Sequence, residues 1–320
     1  MNSKHSAACI SIVIPVYNAE GSIARLVDAL IDVVGPLYKL EIMLVNDHSA
    51  DNSEQVCIAL FYKYPDTVKF FSLAKNVGEH NAVMAGLNQS QGDYVVIMDD
   101  DFQNPISEVL KLVSHATSHD CDVTFSYYKR KKHAFYRNLG SWFNDKVANI
   151  MLQKPRGLYL SSFKILNRFI VNEIIKYDSS FPYIDGLILR ATSNFGTVEV
   201  EHHKREFGKS GYTLRKLIRL WLNMFTSFSI LPLRVATVFG FVFSFIGLLF
   251  GVVTILEKLI NPNVPLGYTT IIVILLLFAG VQLISLGMIG EYVGRIFFSQ
   301  NKAPQYTIRK RYEKESPDKR

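Results

Sequence analysis

The chain has 320 residues, a formal net charge of +7 and 49% hydrophobic residues with a positive mean hydropathy, which is high for a wholly soluble protein and places part of the chain in lipid. Its three cysteines, Cys9, Cys57 and Cys121, are too scattered for a disulfide framework or a cysteine metal site and fit a reducing compartment. The basic excess suits an anionic membrane surface or phosphorylated ligands, and with no nucleic-acid motif beside it no nucleic-acid partner is expected.

Ile10 to Val16 is a short apolar run broken by Pro15, a strand rather than a signal peptide. It ends in Tyr17-Asn18. From about Glu20 to Val34 the apolar residues Ile23, Leu26, Val27, Leu30 and Val34 fall at helical spacing. Glu41 to Asn46 reads as a second strand, followed by Asp47-His48-Ser49-Ala50-Asp51 and a helix to about Tyr62. Val68 to Leu73 is a third, leading through Asn76-Val77-Gly78 into a helix through Ala82, Met84 and Leu87. A fourth apolar run, Tyr94 to Met98, stops in Asp99-Asp100-Asp101-Phe102-Gln103-Asn104-Pro105.

Strands and helices alternating at this spacing predict βαβ units and a mostly parallel sheet, with the residues that follow each strand gathered at one crevice. Two readings of the three acids fit. They can place two carboxylates, Asp99 and Asp101, around a hard cation of the Mg²⁺ or Mn²⁺ type, which implies a diphosphate; or they can form a solvated turn that caps the next helix. There is no G-x-G-x-x-G and no P-loop lysine motif, which argues against a dinucleotide oxidoreductase or a P-loop enzyme.

Ile14-Pro15-Val16-Tyr17-Asn18, Val45-Asn46-Asp47-His48-Ser49-Ala50-Asp51, Asn76-Val77-Gly78 with Ala85-Gly86-Leu87, Gly92-Asp93-Tyr94 and the Asp99 to Pro105 segment resemble the successive signatures of family 2 glycosyltransferases. Within that family the pattern is most similar to the polyprenyl-phosphate glycosyltransferases, over nearly the whole chain. The resemblance implies a GT-A fold, Rossmann-like with a mostly parallel sheet, that binds a nucleotide-diphosphate sugar. It implies metal binding by Asp99, Asp101 and Gln103, and nucleotide-sugar contacts from Pro15, Tyr17, Asn18, Glu20, Asp47, Asp99 and Asp100. Asn46 departs from the family's usual Asp, and Asp100 from its usual small residue, so which acids hold the metal stays open. Asp47 also fits an ordinary capping sequence.

Val123 to Tyr128 reads as a further strand. Lys129 to His133 is a basic cluster, and the segment at about 134–152 places Phe135, Leu139, Trp142, Phe143, Val147 and Ile150 on one helical face. This predicts an interfacial helix beside anionic headgroups, with Arg130 and Arg137 meeting a lipid phosphate; a solvated loop and a core-packed helix is the alternative. Gly157 to Ile165 reads as a strand, Asn167 to Tyr177 as a helix and Val198 to Glu201 as a strand. Between them Asp185 either orients sugar hydroxyls, acts as a base, or caps a helix. His202 to Tyr212 is similar to the family's basic segment that closes over the donor diphosphate, with Arg205 as the phosphate-bridging residue and Lys209 beside it. Apart from the resemblance it is a basic loop.

The domain expectations follow. Residues 1–211 form a cytosolic catalytic domain, 212–232 an amphipathic juxtamembrane helix, 233–294 a transmembrane hairpin with spans at about 235–256 and 266–290, and 295–320 a charged, loose cytosolic tail. Basic residues flank the outer ends of the hairpin, so both termini are expected in the cytoplasm of a bacterial plasma membrane protein. Gly247 and Gly251 pack helices either within the hairpin or between copies in a homo-oligomer. Catalytic weight falls on Asp99, Asp101, Arg205 and Asp185, in an inverting transfer from a nucleotide sugar, by similarity a UDP-sugar, to polyprenyl phosphate. A transferase with another acceptor, and a membrane scaffold without activity, are the rival readings.

Overall fold

The apolar runs become strands because each is covered on both faces and has no polar side to show to water. In a computed structural model that describes residues 8–128, 154–155, 157–201, 231–261, 267–301 and 303–314, these are β1 (Cys9–Val16), β2 (Lys39–Asn46), β3 (Val68–Leu73) and β4 (Tyr94–Ile97). Between them lie α1 (Ile23–Val34), α2 (Ser53–Lys63) and α3 (Glu79–Gln89). There follow α4 (Ile106–His119), β5 (Val123–Tyr127), β6 (Lys164–Asn167), α5 (Arg168–Ile174), α6 (Ile184–Ala191) and β7 (Phe195–Glu199).

Together with a late strand, β8 (Ile308–Tyr312), they make an 8-stranded sheet in the order β7-β5-β6-β4-β1-β2-β3-β8. The core pairings β4-β1-β2-β3 are parallel, and so is β5-β7; β6 runs antiparallel between β4 and β5, and β8 antiparallel to β3. One face of the sheet, through Ile12, Ile14, Ile42, Phe70, Val96 and Phe163, packs on α1, α2 and α4. On the other, α3 lies close enough that a Cβ on Gly86 would come within 2.4 Å of Val13, so the glycine of the Ala85-Gly86-Leu87 motif sets the helix-to-sheet spacing.

Several expected boundaries move. The strand expected at 157–165 is confined to Lys164–Asn167. Before it, Phe163 N donates to Ser161 Oγ at 3.2 Å, a local bond in place of a ladder bond, while Phe163 O accepts from Ser126 Oγ at 2.7 Å and from Ser126 N at 3.2 Å. The next helix starts at Arg168, where Asn167 caps it by accepting from Ile170 N at 2.9 Å. The last strand of the first stretch is Phe195–Glu199 rather than 198–201, in register with β5.

The tail is the larger correction. Expected to be loose, it forms β8, with Phe70 opposite Tyr312 and Phe71 opposite Arg311. Charged residues hid the strand, but its period of two puts Tyr312 against Phe61 and Phe70, at 5.8 Å between centroids in each case, and Arg311 over the Phe71 ring at 5.5 Å. Just before it, Gln305 Nε2 donates to the carbonyls of Tyr177 (2.6 Å) and Ser179 (2.9 Å), and Ser180 Oγ donates to Ala303 O (2.8 Å).

The chain divides into two units, one of residues 1–213 with 302–320 and one of 214–301. In the second, the described residues form α7 (Leu231–Ile260) and α8 (Tyr268–Gln300); α8 runs on past the expected end at 290 through Glu291 and Arg295. Among the described residues, α7 is long and apolar enough to cross a membrane, over Ala236–Val253 with mean hydropathy 2.3, and Phe278–Gly294 is a shorter apolar stretch of α8. Gly247 faces Phe278, whose Cζ would lie 3.7 Å from an added Cβ, so this glycine packs within the helix pair. The interfacial helix expected at about 134–152 lies outside the described residues, as does the juxtamembrane helix of 212–232 up to the start of α7.

Candidate active site

Parallel neighbours bring the residues after β1, β2 and β4 to one edge of the sheet, with Val16 opposite Asn46 and Val13 opposite Ile97. Three non-glycine residues at that edge hold positive φ, Asn18 at 55°, His48 at 56° and Phe102 at 59°. Each costs roughly 1–2 kcal/mol and persists only where its surroundings over-determine it. The fixing bonds are present. Asn18 N donates to Ser49 Oγ at 3.0 Å, and Asn18 Oδ1 accepts from Ala50 N at 2.9 Å. Glu20 Oε2 accepts from Asn52 N and Nδ2 at 2.9 and 3.0 Å, and Ser53 Oγ accepts from Ala19 N at 2.8 Å. Asn18 and Glu20, expected at the nucleotide sugar, thus use these side-chain atoms to lock the β1 loop to the β2 loop. Pro15 sits within β1 opposite Val45, and Tyr17 is 47% exposed at the rim.

Asp47 is buried, and its carboxylate accepts two backbone amides, Val77 N to Oδ1 at 2.7 Å and Gly78 N to Oδ2 at 2.9 Å. Burial raises its pKa above the usual carboxylate value, while these two bonds and His48 pull the other way. Gly78 has φ of 89°, open to glycine at little cost, and this turn aims both amides at Asp47. Beneath it the fully buried Asn46 accepts from Ser49 Oγ at 2.6 Å and donates to Glu54 Oε2 and Ser72 Oγ, each at 3.4 Å. A carboxylate at position 46 would face Glu54 with like charge, a physical reason for the amide there.

The three acids after β4 diverge. Asp99 Oδ2 accepts from Ser162 Oγ at 2.8 Å, Asp100 Oδ2 from Tyr17 N at 3.1 Å, and Asp101 Oδ1 from Gln103 N at 3.1 Å. Asp100 thereby ties the strand end to β1, and the buried Asp101 closes the tight turn whose Phe102 ring lies 5.3 Å from the Arg25 guanidinium carbon. Asp99, Asp101 and Gln103 offer hard oxygen donors of the kind Mg²⁺ and Mn²⁺ take. Among the described residues no group of three or more His, Cys, Asp or Glu is placed to hold a metal ion. The donor set fits a cation that keeps positions for water and phosphate oxygens, as Mg²⁺ does at diphosphate sites.

Asp185 lies inside its helix, two residues after the N-cap Tyr183. It is 8% exposed in the first turn of α6, and Lys164 Nζ donates to its Oδ1. Lys164, 3% exposed, stands on β6 opposite Ile97, two positions beyond Ser162. Sequence reasoning missed both Ser162 and Lys164. The signal for the second was a charge inside the apolar run Phe163-Lys164-Ile165-Leu166; Ser162 had none, because its partner is far away in the chain. Arg205, Lys209, Arg130 and Arg137 lie outside the described residues.

Residues 11–175 match the glycosyl transferase family 2, and residues 231–296 match the GtrB C-terminal hairpin. The undecaprenyl-phosphate 4-deoxy-4-formamido-L-arabinose transferase of Proteus mirabilis (strain HI4320) is 33% identical over 319 residues, 97% of this chain and 96% of that protein. The enzyme of the same name from Edwardsiella ictaluri (strain 93-146) is 32% identical, over 97% of this chain and 96% of its own. A solved structure of glucosyl-3-phosphoglycerate synthase from Mycobacterium tuberculosis in complex with Mn²⁺, uridine diphosphate and phosphoglyceric acid aligns with a TM-score of 0.49 at 19% identity, over 68% of this chain and 78% of that one. The family match over half of the chain, together with full-length relatives above 30% identity, makes this protein a glycosyltransferase that belongs to glycosyl transferase family 2.

Proposed function

We propose that the protein transfers a sugar from a nucleotide-diphosphate sugar, with a UDP-sugar as the favoured donor, to a polyprenyl phosphate such as undecaprenyl phosphate. The product is a sugar joined to the lipid through one phosphate, for use in cell-envelope glycan or lipopolysaccharide modification. The observation that carries this reading is that similarity to undecaprenyl-phosphate transferases runs through both the acid-lined α/β unit and the helical hairpin, not through the first alone.

A divalent cation, Mg²⁺ or Mn²⁺, supplies electrostatic stabilisation to the leaving diphosphate when bound. Asp99, Asp101 and Gln103 hold it in this reading, with Ser162 fixing the orientation of Asp99. Asp47 and Tyr17 line the nucleoside side, and Asp100 keeps the Tyr17 backbone in place. Arg205, with Lys209, bridges the diphosphate oxygens. Arg130 and Arg137 meet the acceptor phosphate. An acceptor oxygen forms the new bond to the anomeric carbon as the bond to the diphosphate breaks, which inverts that carbon. A phosphate monoester with a second pKa of about 6 is mostly ionised near neutral pH, so no strong base is needed. Asp185, already paired with Lys164, orients the sugar instead.

Residues on both sides of α7 and α8 belong to the same folded unit, since the chain returns from α8 to β8 in the catalytic sheet. This supports an even number of membrane crossings. Basic residues at Arg215, Arg219, Arg234, Arg295 and Arg309 to Arg311 support the cytoplasmic side for the catalytic unit and both termini.

The test is transfer of label from a panel of nucleotide sugars into extractable lipid by purified protein with undecaprenyl phosphate, with and without chelator. Metal-dependent lipid product from one donor is expected. Nucleotide binding without product from any donor would overturn the reading in favour of another acceptor or a scaffold.

A further inference from the structure

One cluster on the α3 and α6 side of the crevice has no part in holding the diphosphate. It begins at the acids. Asp99 is bonded to Ser162, Lys164 follows two positions on along the same edge, and its ammonium reaches Asp185 at the start of α6. The residue two before Asp185, Tyr183, meets the His80 ring in a T-shaped contact, with centroids 5.1 Å apart and planes at 80°. His80 lies in the first turn of α3, just after the Gly78 amide that binds Asp47. Three contacts, joined by short stretches of chain, therefore link the metal-type carboxylate to the loop that holds Asp47.

Two features of this set point to a ligand. First, the pair of Lys164 and Asp185 is buried, and a buried ion pair gains little for stability over apolar residues of the same shape. Second, among the described residues neither ring nitrogen of His80 makes a hydrogen bond to protein, although the ring is half-buried and held edge-on by Tyr183. The Tyr183 ring packs against it, and the charges that act on it are those of Asp185 and Lys164. Removal of water from around the ring pushes the His80 pKa down to about 4; Asp185 opposes this and Lys164 adds to it. The imidazole is thus neutral at cytosolic pH, with one nitrogen that donates and one that accepts. A sugar hydroxyl needs that complement, since it too does both.

We propose that His80 reads a hydroxyl or other polar substituent of the transferred sugar, and that Lys164 is a positioning residue that acts through Asp185 to hold this reader in place. The inference rests on the sugar-transfer reading and deepens it by assigning donor selectivity to α3, β6 and α6. The pocket that discriminates is distinct from the groups that bind the diphosphate, so selectivity and nucleotide affinity separate.

The experiment uses full-length protein and compares wild type with His80→Ala, His80→Gln, Lys164→Met, Lys164→Arg and the Lys164→Met/Asp185→Asn pair. Turnover and KM are measured on UDP-sugars that differ at single ring positions, and UDP affinity by calorimetry. His80→Ala is expected to lower kcat/KM for the preferred donor on the order of tenfold to a hundredfold, and to shrink its advantage over donors altered at one position, with UDP affinity unchanged. Lys164→Met should act in the same direction, while Lys164→Arg and His80→Gln recover part of the loss. The double variant removes both charges and so keeps the fold testable. Wild-type donor selectivity in His80→Ala, or in the double variant, would overturn the proposal while leaving sugar transfer intact. A wild type that makes no product from any donor would take both readings down together.

Discussion

Ser162 Oγ donates to Asp99 Oδ2 at 2.8 Å, across the point where β4 and β6 run antiparallel. A carboxylate at the end of a strand can swing through several rotamers, and this bond selects one. If Asp99 and Asp101 hold the cation, Asp99→Asn and Asp101→Asn should each lower turnover by a hundredfold or more, in the order-of-magnitude range for loss of transition-state charge stabilisation. Ser162→Ala should cost about tenfold and recover with raised Mn²⁺, because only the preorganisation of a ligand is lost. Asp100→Asn should have the smallest effect, since Asp100 serves the Tyr17 backbone. Label transfer into lipid across a metal titration checks all four.

Asn46→Asp restores the residue usual in the family and is nonetheless expected to destabilise this protein. The new carboxylate would be fully buried beside Glu54 and would lose the donor bonds to Glu54 and Ser72. The expected cost is about 1–3 kcal/mol, seen as a lower thermal midpoint. Glu54→Gln in the same protein should return much of it. Equal stability of Asn46→Asp and wild type would show that the site tolerates two acids.

Gly78→Ala separates backbone strain from crowding, because a Cβ at this position meets nothing within 4 Å. The φ of 89° alone should then cost roughly 1–2 kcal/mol. Relaxation of the turn would withdraw the amide of residue 78 from Asp47; if Asp47 lines the nucleoside side, UDP affinity should fall together with stability. Isothermal titration and thermal unfolding on the same preparation distinguish the two effects.

Lys310 on β8 donates to Glu54 on α2 at 2.5 Å, and this bond is the first cause that holds the Glu54 pKa below its usual value. A depressed carboxylate contributes stability that is present above its unfolded pKa, about 4.3, and is lost as pH falls through the folded value. Lys310 is raised by the same bond, so its part is present below about 10.4 and is lost as pH rises through its folded value. The stability gap between wild type and Lys310→Met should therefore be widest at intermediate pH and close toward both extremes. Added salt should narrow it as well, since the ammonium is exposed. Denaturant unfolding at a series of pH values checks the shape.

The four parallel strands and the crevice acids were legible because burial on both faces leaves an unbroken apolar run, and because such a sheet delivers whatever follows each strand to one edge. Asn18 and Glu20 were legible as residues of that edge, but the bonds they make between the β1 and β2 loops were not. Their partners, Ser49, Ala50 and Asn52, follow a different strand, and a hydrogen bond between loops leaves no periodic trace. Lys164 was written over by its surroundings: a strand of five residues or fewer with one charge gives no alternation to read. β8 failed for the opposite reason, since the basic run Arg309, Lys310 and Arg311 between Ile308 and Tyr312 leaves no apolar alternation to read.

That return of the chain to the sheet has a consequence for biogenesis. Glu54 and Lys310 are 256 positions apart, and everything between β3 and β8 must be synthesised before the sheet has its final edge. Until then β3 presents a row of unpaired amides and carbonyls beside Phe70 and Phe71, the kind of edge at which chains associate. The order of events on the ribosome is thereby constrained: α7 and α8 emerge while the α/β unit is still open along one side. Completion of the sheet reports that the hairpin has been passed, so a chain stalled before Ile308 would display a sticky edge for quality control to recognise.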